Sequence, residues 1–118
     1  MNYRITRPYQ REFEDAPRVT KGGVVLFERL DAKNPAWFLG RDAREVAGYF
    51  PVAWFELDGS KATAKRDYDA TEMTVCSGDW VSVVERHGRW VLVEKEDGAK
   101  GWIPEESIGA EERGEPDI

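Results

Sequence analysis

RWVLVEKEDGAKGWIPEESI (89–108) and AWFLGRDAREVAGYFPVAWF (36–55) are two versions of one pattern. In each, a Trp opens a short apolar run (Trp90 or Trp37), and a Gly follows eleven residues later, Gly101 or Gly48. Beyond that Gly stand an aromatic residue (Trp102, Tyr49), an apolar residue (Ile103, Phe50) and a proline (Pro104, Pro51). Upstream, SGDWVSVVER (77–86) and KGGVVLFERL (21–30) each set a Gly turn before an alternating apolar run. Three segments in matching order and spacing mark two copies of a unit of roughly fifty residues.

Within each copy the apolar runs are short, rich in β-branched and aromatic residues, and without helical period, which predicts strands. They cover 24–27, 37–41, 80–84 and 90–94. Asp97-Gly98 predicts a two-residue hairpin turn; in the first copy residues 42–45 do the same job without a Gly. Five short strands in so little chain close best as a small barrel. The expected fold is therefore all-β: two small five-stranded barrels in tandem, residues 1–57 and 64–108. Residues 58–63, with the turn signal Asp58-Gly59-Ser60, are expected to be a linker. So short a linker leads us to expect the barrels to touch. Residues 109–118, with four acids and one Arg, read as a disordered acidic tail.

Composition narrows the functional classes. The 118 residues include five Trp, five Phe and four Tyr, which argues for a folded core. The net charge of −6 falls wholly on residues 60–118, which carry eight basic and fourteen acidic side chains. No basic stripe appears, so a nucleic-acid partner is not expected. Neither a signal-peptide core nor a membrane-length apolar stretch is present, and Cys76 is the one cysteine. These features fit a reducing cytosol, without membrane attachment, disulfide or cysteine-based metal site. No phosphate loop, nucleotide fingerprint or catalytic triad is legible, so neither an enzyme nor a cofactor is expected. His87 sits in a polar turn with no partner for catalysis, Cys76 is expected to be buried or half-buried, and Trp80 is expected in the core.

The ordered motifs resemble the Src homology 3 (SH3) family, in both copies. AKRDYDA (64–70) resembles its opening ALYDYxA motif, Ser77-Gly78-Asp79 its Gly-acid turn, Trp90 the first of its Trp pair, and Gly101-Trp102-Ile103-Pro104 its Gly-Tyr-Ile-Pro segment. Residues 104–108 resemble the short 3₁₀ turn before the last strand. The first copy shows Arg7-Pro8-Tyr9, Gly22-Gly23, Trp37, Gly48-Tyr49-Phe50-Pro51 and Trp54 in the same order. The chain is also similar to small bacterial proteins built only of two such domains.

The resemblance implies a non-enzymatic binding protein. A shallow aromatic groove would take an extended, proline-rich peptide of a cytosolic partner. In the first copy Tyr9, Trp37, Tyr49, Pro51 and Trp54 fall on groove positions, with Glu12, Glu14 and Asp15 near the acids that select a basic ligand residue. In the second copy the matching set is Tyr68, Trp90, Trp102 and Pro104, with Glu72. The first copy is therefore expected to carry the main groove. Arg7 and Arg66 replace the first Tyr of the opening motif, and Trp54 and Ser107 replace the last groove Tyr. An Arg there would welcome a carboxylate or phosphate. The second expectation is therefore a small molecule or anion bound at the interface of the two barrels, near Arg7 and Arg66.

Overall fold

The computed structural model describes residues 2–12 and 15–113, with backbone alone for 110–113. In chain order its strands are β1 (Asn2–Ile5), β2 (Arg18–Val19), β3 (Val24–Leu30), β4 (Trp37–Arg41), β5 (Ala47–Pro51), β6 (Phe55–Asp58), β7 (Lys61–Ala64), β8 (Tyr68–Asp69), β9 (Trp80–His87), β10 (Trp90–Glu94), β11 (Lys100–Pro104) and β12 (Ile108–Arg113). Short 3₁₀ turns at Val52–Trp54 and Glu105–Ser107 precede β6 and β12. The protein is all-β, and two five-stranded antiparallel sheets account for most of it.

The chain divides into two units that are not its two sequence halves. One is the continuous segment Phe13–Thr71; the other is split, joining Met1–Glu12 to Glu72–Ile118. The split unit has strand order β11-β10-β9-β1-β12, and the continuous unit has β5-β4-β3-β7-β6 plus the ribbon β2-β8. This corrects the expected boundaries. Residues 58–63 are no linker, because Asp58 pairs with Lys61 across a hairpin whose Gly59 has φ +63. The tail reading of 109–118 is also corrected in part: 109–113 continue β12, which pairs with β1, while 114–118 lie outside the described residues.

The physical reason for this division is side-chain volume. Aligning Tyr9 with Tyr68 sets β1 against β7, Ile5 against Ala64 and Tyr3 against Ala62. Each strand occupies the same place in its sheet, between the third strand and the last. In the split unit Tyr3 pairs with Val81 and Ile5 with Ile108; in the continuous unit Ala62 pairs with Val25 and Ala64 with Phe55. The continuous core is a phenyl stack, with Phe38 5.0, 5.1 and 5.3 Å from Phe27, Phe50 and Phe55. It leaves room only for alanines, and Ala62 and Ala64 are buried there. The split core is aliphatic: Met73, Val75, Val81, Val91, Val93 and Ile103 surround Ile5, with Tyr3 packed against them. Interiors are close-packed, so large strand with small lining and small strand with large lining is the combination that fills both. The contiguous pairing would press Ile5 against Phe55 and leave a void between Ala64 and Ile108.

The hairpins show a second, smaller difference from expectation. The turn at 95–99 closes with Gly98 N donating to Lys95 O and Lys95 N to Ala99 O, so three residues form the loop rather than two. Its counterpart at 42–46 has the same bonding, with Glu45 at φ +66 where Gly98 has φ +90. The first loop thus bends without a Gly, by holding a glutamate in the left-handed region.

Volume matching has a measurable consequence. Ile5→Ala is expected to cost about 2–5 kcal/mol, and Ala64→Ile about 1–3 kcal/mol. Adding Phe55→Ile to Ala64→Ile should recover much of the second loss, because the two side chains face each other. Urea unfolding of these three variants and of Phe55→Ile alone measures this; additive losses for the 55/64 pair would contradict it.

Candidate ligand groove

In the split unit the arm that follows β1 carries the site. Tyr9 exchanges backbone hydrogen bonds with Val75, at 3.0 and 2.8 Å, which fixes the arm against residues 72–76. The Tyr9 ring then stands edge-on to Trp90, centroids 5.8 Å apart at 83°. Its hydroxyl donates to Glu72 Oε1 at 2.7 Å, and the Glu12 amide donates to the same oxygen at 3.1 Å. Burial, then the hydrogen bond and charge of Glu72, push the Tyr9 phenol far above its ordinary range. The phenol therefore keeps its proton at neutral pH and serves as the donor in the bond to Glu72.

The far wall is built by β11 and the 3₁₀ turn. Glu72 bridges to Trp102, Trp90 pairs with Pro104, and the amides of Thr6 and Arg7 donate to Ser107 O at 2.9 and 3.3 Å. Passing from Trp102 to Ser107, the wall thus meets Glu72 first, Trp90 next and Arg7 last. Gly101 must be glycine, since a Cβ there would lie 2.7 Å from that of Met73. Tyr9, Glu72, Trp90 and Pro104 are half-buried, whereas Trp102 is buried. Arg7 is exposed and holds Glu106 at 4.0 Å.

The continuous unit treats the equivalent positions differently. Tyr68 donates its hydroxyl to Tyr49 O at 2.8 Å and packs edge-on to Trp54 at 5.5 Å. The Arg66 guanidinium lies over the Trp54 ring, 3.8 Å from its centroid. Trp37 and Tyr68 are each 5% exposed and Pro51 is fully buried, while Tyr49 is 44% exposed. Asp15 pairs with Arg44 at 3.4 Å; Glu14 lies outside the described residues.

These placements correct the expected site. Tyr9 does not join Trp37, Tyr49, Pro51 and Trp54, because its arm follows β1 into the split unit. Tyr68 leaves Trp90, Trp102 and Pro104 for the same reason. Two smaller expectations also fail: Trp80 is 40% exposed, and Cys76 is exposed. What the sequence reading missed is the pairing of Tyr9 with Glu72, sixty-three residues apart. The signal that could have found it is the contrast between Tyr3/Ile5 and Ala62/Ala64.

One polar cluster serves the fold. Asp42 is 5% exposed, yet it accepts from the amides of Arg18, Arg44 and Val46 at 3.1, 2.8 and 3.0 Å and from the Arg44 guanidinium at 2.9 Å. It borders an open cavity of about 640 Å³ beside β2 and β8. Among the described residues, no group of three or more His, Cys, Asp or Glu could hold a metal, and no helix is long and apolar enough to cross a membrane.

Two five-stranded antiparallel sheets, each with a 3₁₀ turn before its last strand, define an SH3-like class of fold. Residues 61–108 match the family model described as the variant SH3 domain, which supports an SH3-like protein. Domains of this type are generally non-catalytic modules that bind protein or peptide partners. The matched stretch starts at β7 in the continuous unit and finishes in the split unit, so it follows the order of elements along the chain. No curated protein and no solved structure matches the chain at a significant level.

Asp42 supplies a pH test. Burial raises its pKa, but hydrogen bonds from Val46, Arg18 and Arg44 outweigh burial and hold it below the ordinary aspartate value. A depressed folded pKa stabilises fully above the unfolded value of about 3.9 and is lost as pH falls through the folded value. Asp42→Asn should cost about 1–3 kcal/mol at pH 7, because three backbone amides and the Arg44 guanidinium lose their charged acceptor. The gap from wild type, read by urea unfolding, should shrink below about pH 4. A gap that stays constant to pH 2 would contradict this role.

Proposed function

We propose that the chain is a non-enzymatic binding protein that holds an extended, proline-containing segment of a partner protein on the Tyr9–Trp90–Pro104 ledge of the split unit. The observation that carries this reading is the edge-on Tyr9–Trp90 pair, left half-buried beside an anchored carboxylate. Two rings meeting near a right angle make a slot for a flat pyrrolidine ring. A polyproline II ligand is already extended, so little chain entropy is lost on docking. The Trp90 indole N–H can donate to a ligand carbonyl that has no partner within its own helix. Glu72 has accepted two hydrogen bonds, and a carboxylate has about four acceptor sites, so it retains capacity for a ligand ammonium or guanidinium.

The main groove is thus moved from the first sequence copy to the split unit. In the continuous unit Trp37, Pro51 and Tyr68 offer almost no accessible surface, and Arg66 covers the Trp54 face. A ledge this small buries little area, so affinity is expected to be modest. The one cysteine, Cys76, is an exposed thiol, which suits a reducing compartment and a cytosolic partner.

Screening a synthetic proline-rich peptide array, followed by titration of the best binder, tests this. Trp90→Ala should weaken binding by about tenfold or more, as expected for a central aromatic anchor. Tyr49→Ala should leave it within about twofold, because that exposed ring belongs to the other unit. The opposite ranking, in variants shown by circular dichroism to be folded, would overturn the assignment.

A further inference from the structure

Arg7 and Arg66 stand at the same position of the repeated unit, yet their surroundings differ. Arg66 lies on the Trp54 ring. In the split unit the residue matching Trp54 is Ser107, which is 2% exposed, and its carbonyl receives the amides of Thr6 and Arg7. Arg7 has no ring at that point. Its side chain turns instead to Glu106, at the limit of ion-pair distance, with both side chains about 70% exposed (71% and 68%). So loose and solvated a pair contributes little, and a ligand carboxylate can exchange with Glu106 at small cost. A guanidinium that binds a carboxylate with two parallel N–H donors gains geometric specificity as well as charge.

We infer that Arg7 is a carboxylate subsite at one end of the ledge, so that the bound segment is dipolar, with a cation toward Glu72 and a carboxylate toward Arg7. This rests on the groove reading above. The spacing follows from the wall. Trp102 to Pro104 is two strand residues, and the 3₁₀ turn adds three more, a span of at most about 13 Å. Polyproline II rises about 3.1 Å per residue, so the two charges sit about four residues apart in the ligand. Glu106 acts as an internal competitor, occupying Arg7 until the ligand carboxylate arrives.

Three peptides test this by titration, read at the Trp90 indole resonance, which Trp90→Phe identifies. They are acetyl-Pro-Lys-Pro-Pro-Pro-Glu-amide, the same peptide with Gln in place of Glu, and the Gln peptide with a free C-terminus. Wild type should bind at least one of the two carboxylate peptides about three- to tenfold more tightly than the Gln amide. Which one gains tells whether a side chain or a chain end serves the subsite. The advantage should vanish in Arg7→Gln and grow in Glu106→Gln; both positions are exposed, so both variants should fold. Equal binding of all three peptides, or an advantage that survives Arg7→Gln, overturns the subsite. If Trp90→Ala, followed by backbone amide shifts, still weakens binding about tenfold or more in that case, the groove stands without the subsite. Failure of all three to bind at millimolar concentration overturns groove and subsite together.

Discussion

The contact between the fourth and fifth strands of each sheet governs the rest of the molecule. At that place Ile5 faces Ile108 in one unit and Ala64 faces Phe55 in the other. Each pair has one reasonable volume; exchanging partners makes one pair too large and the other too small. Overpacking and cavity formation are both destabilising by kcal/mol amounts, which is a large share of the stability of a small domain. The strand that closes each sheet is therefore chosen by fit rather than by nearness in sequence. The hairpin at 58–61 then joins the continuous unit's last two strands, and β1 completes a sheet whose other members begin at residue 80.

The site follows from that choice. Residues 6–12 have to travel with β1, so Tyr9 arrives beside Trp90 and Glu72. Residues 65–71 travel with β7, so Tyr68 arrives beside Tyr49 and Trp54. Each unit receives a tyrosine, but the outcomes differ. With Trp54 present, Arg66 has a ring to cover, and the neighbouring Trp37 and Pro51 are closed to solvent. With the small Ser107 in that position, Arg7 is left at the surface and the Tyr9–Trp90 ledge stays half open. A change at one position, Trp54 against Ser107, thus accompanies the difference between a covered face and an available one.

Local features were legible in the sequence because they depend on local chemistry. The strands Trp37–Arg41 and Trp90–Glu94 were read at their observed bounds, and the 3₁₀ turn after Pro104 falls where the motif puts it. Gly48 and Gly101 were read as motif residues, and each has a neighbour, Pro17 or Met73, that a Cβ would strike. Strand partners were not legible in the same way. The order of elements along the chain is identical whether each closing strand serves its own copy or the other one, and the family match over 61–108 shares that blindness. Only volumes distinguish the two cases, and volume complementarity requires the cross-strand register before it can be read. The outward Trp80 was missed for a related reason: alternation says which residues share a face, but not which face is buried.

The most direct test of strand choice is to express residues 13–71 and residues 1–57 as separate polypeptides and compare their amide proton spectra and thermal unfolding. The first contains every strand of the continuous sheet, β7 included; the second lacks β7 and carries β1 instead. Selection by volume predicts a dispersed spectrum and a cooperative transition for 13–71, and a collapsed or unfolded spectrum for 1–57. A cooperatively folded 1–57 beside an unfolded 13–71 would contradict it and return Tyr9 to the company of Trp37.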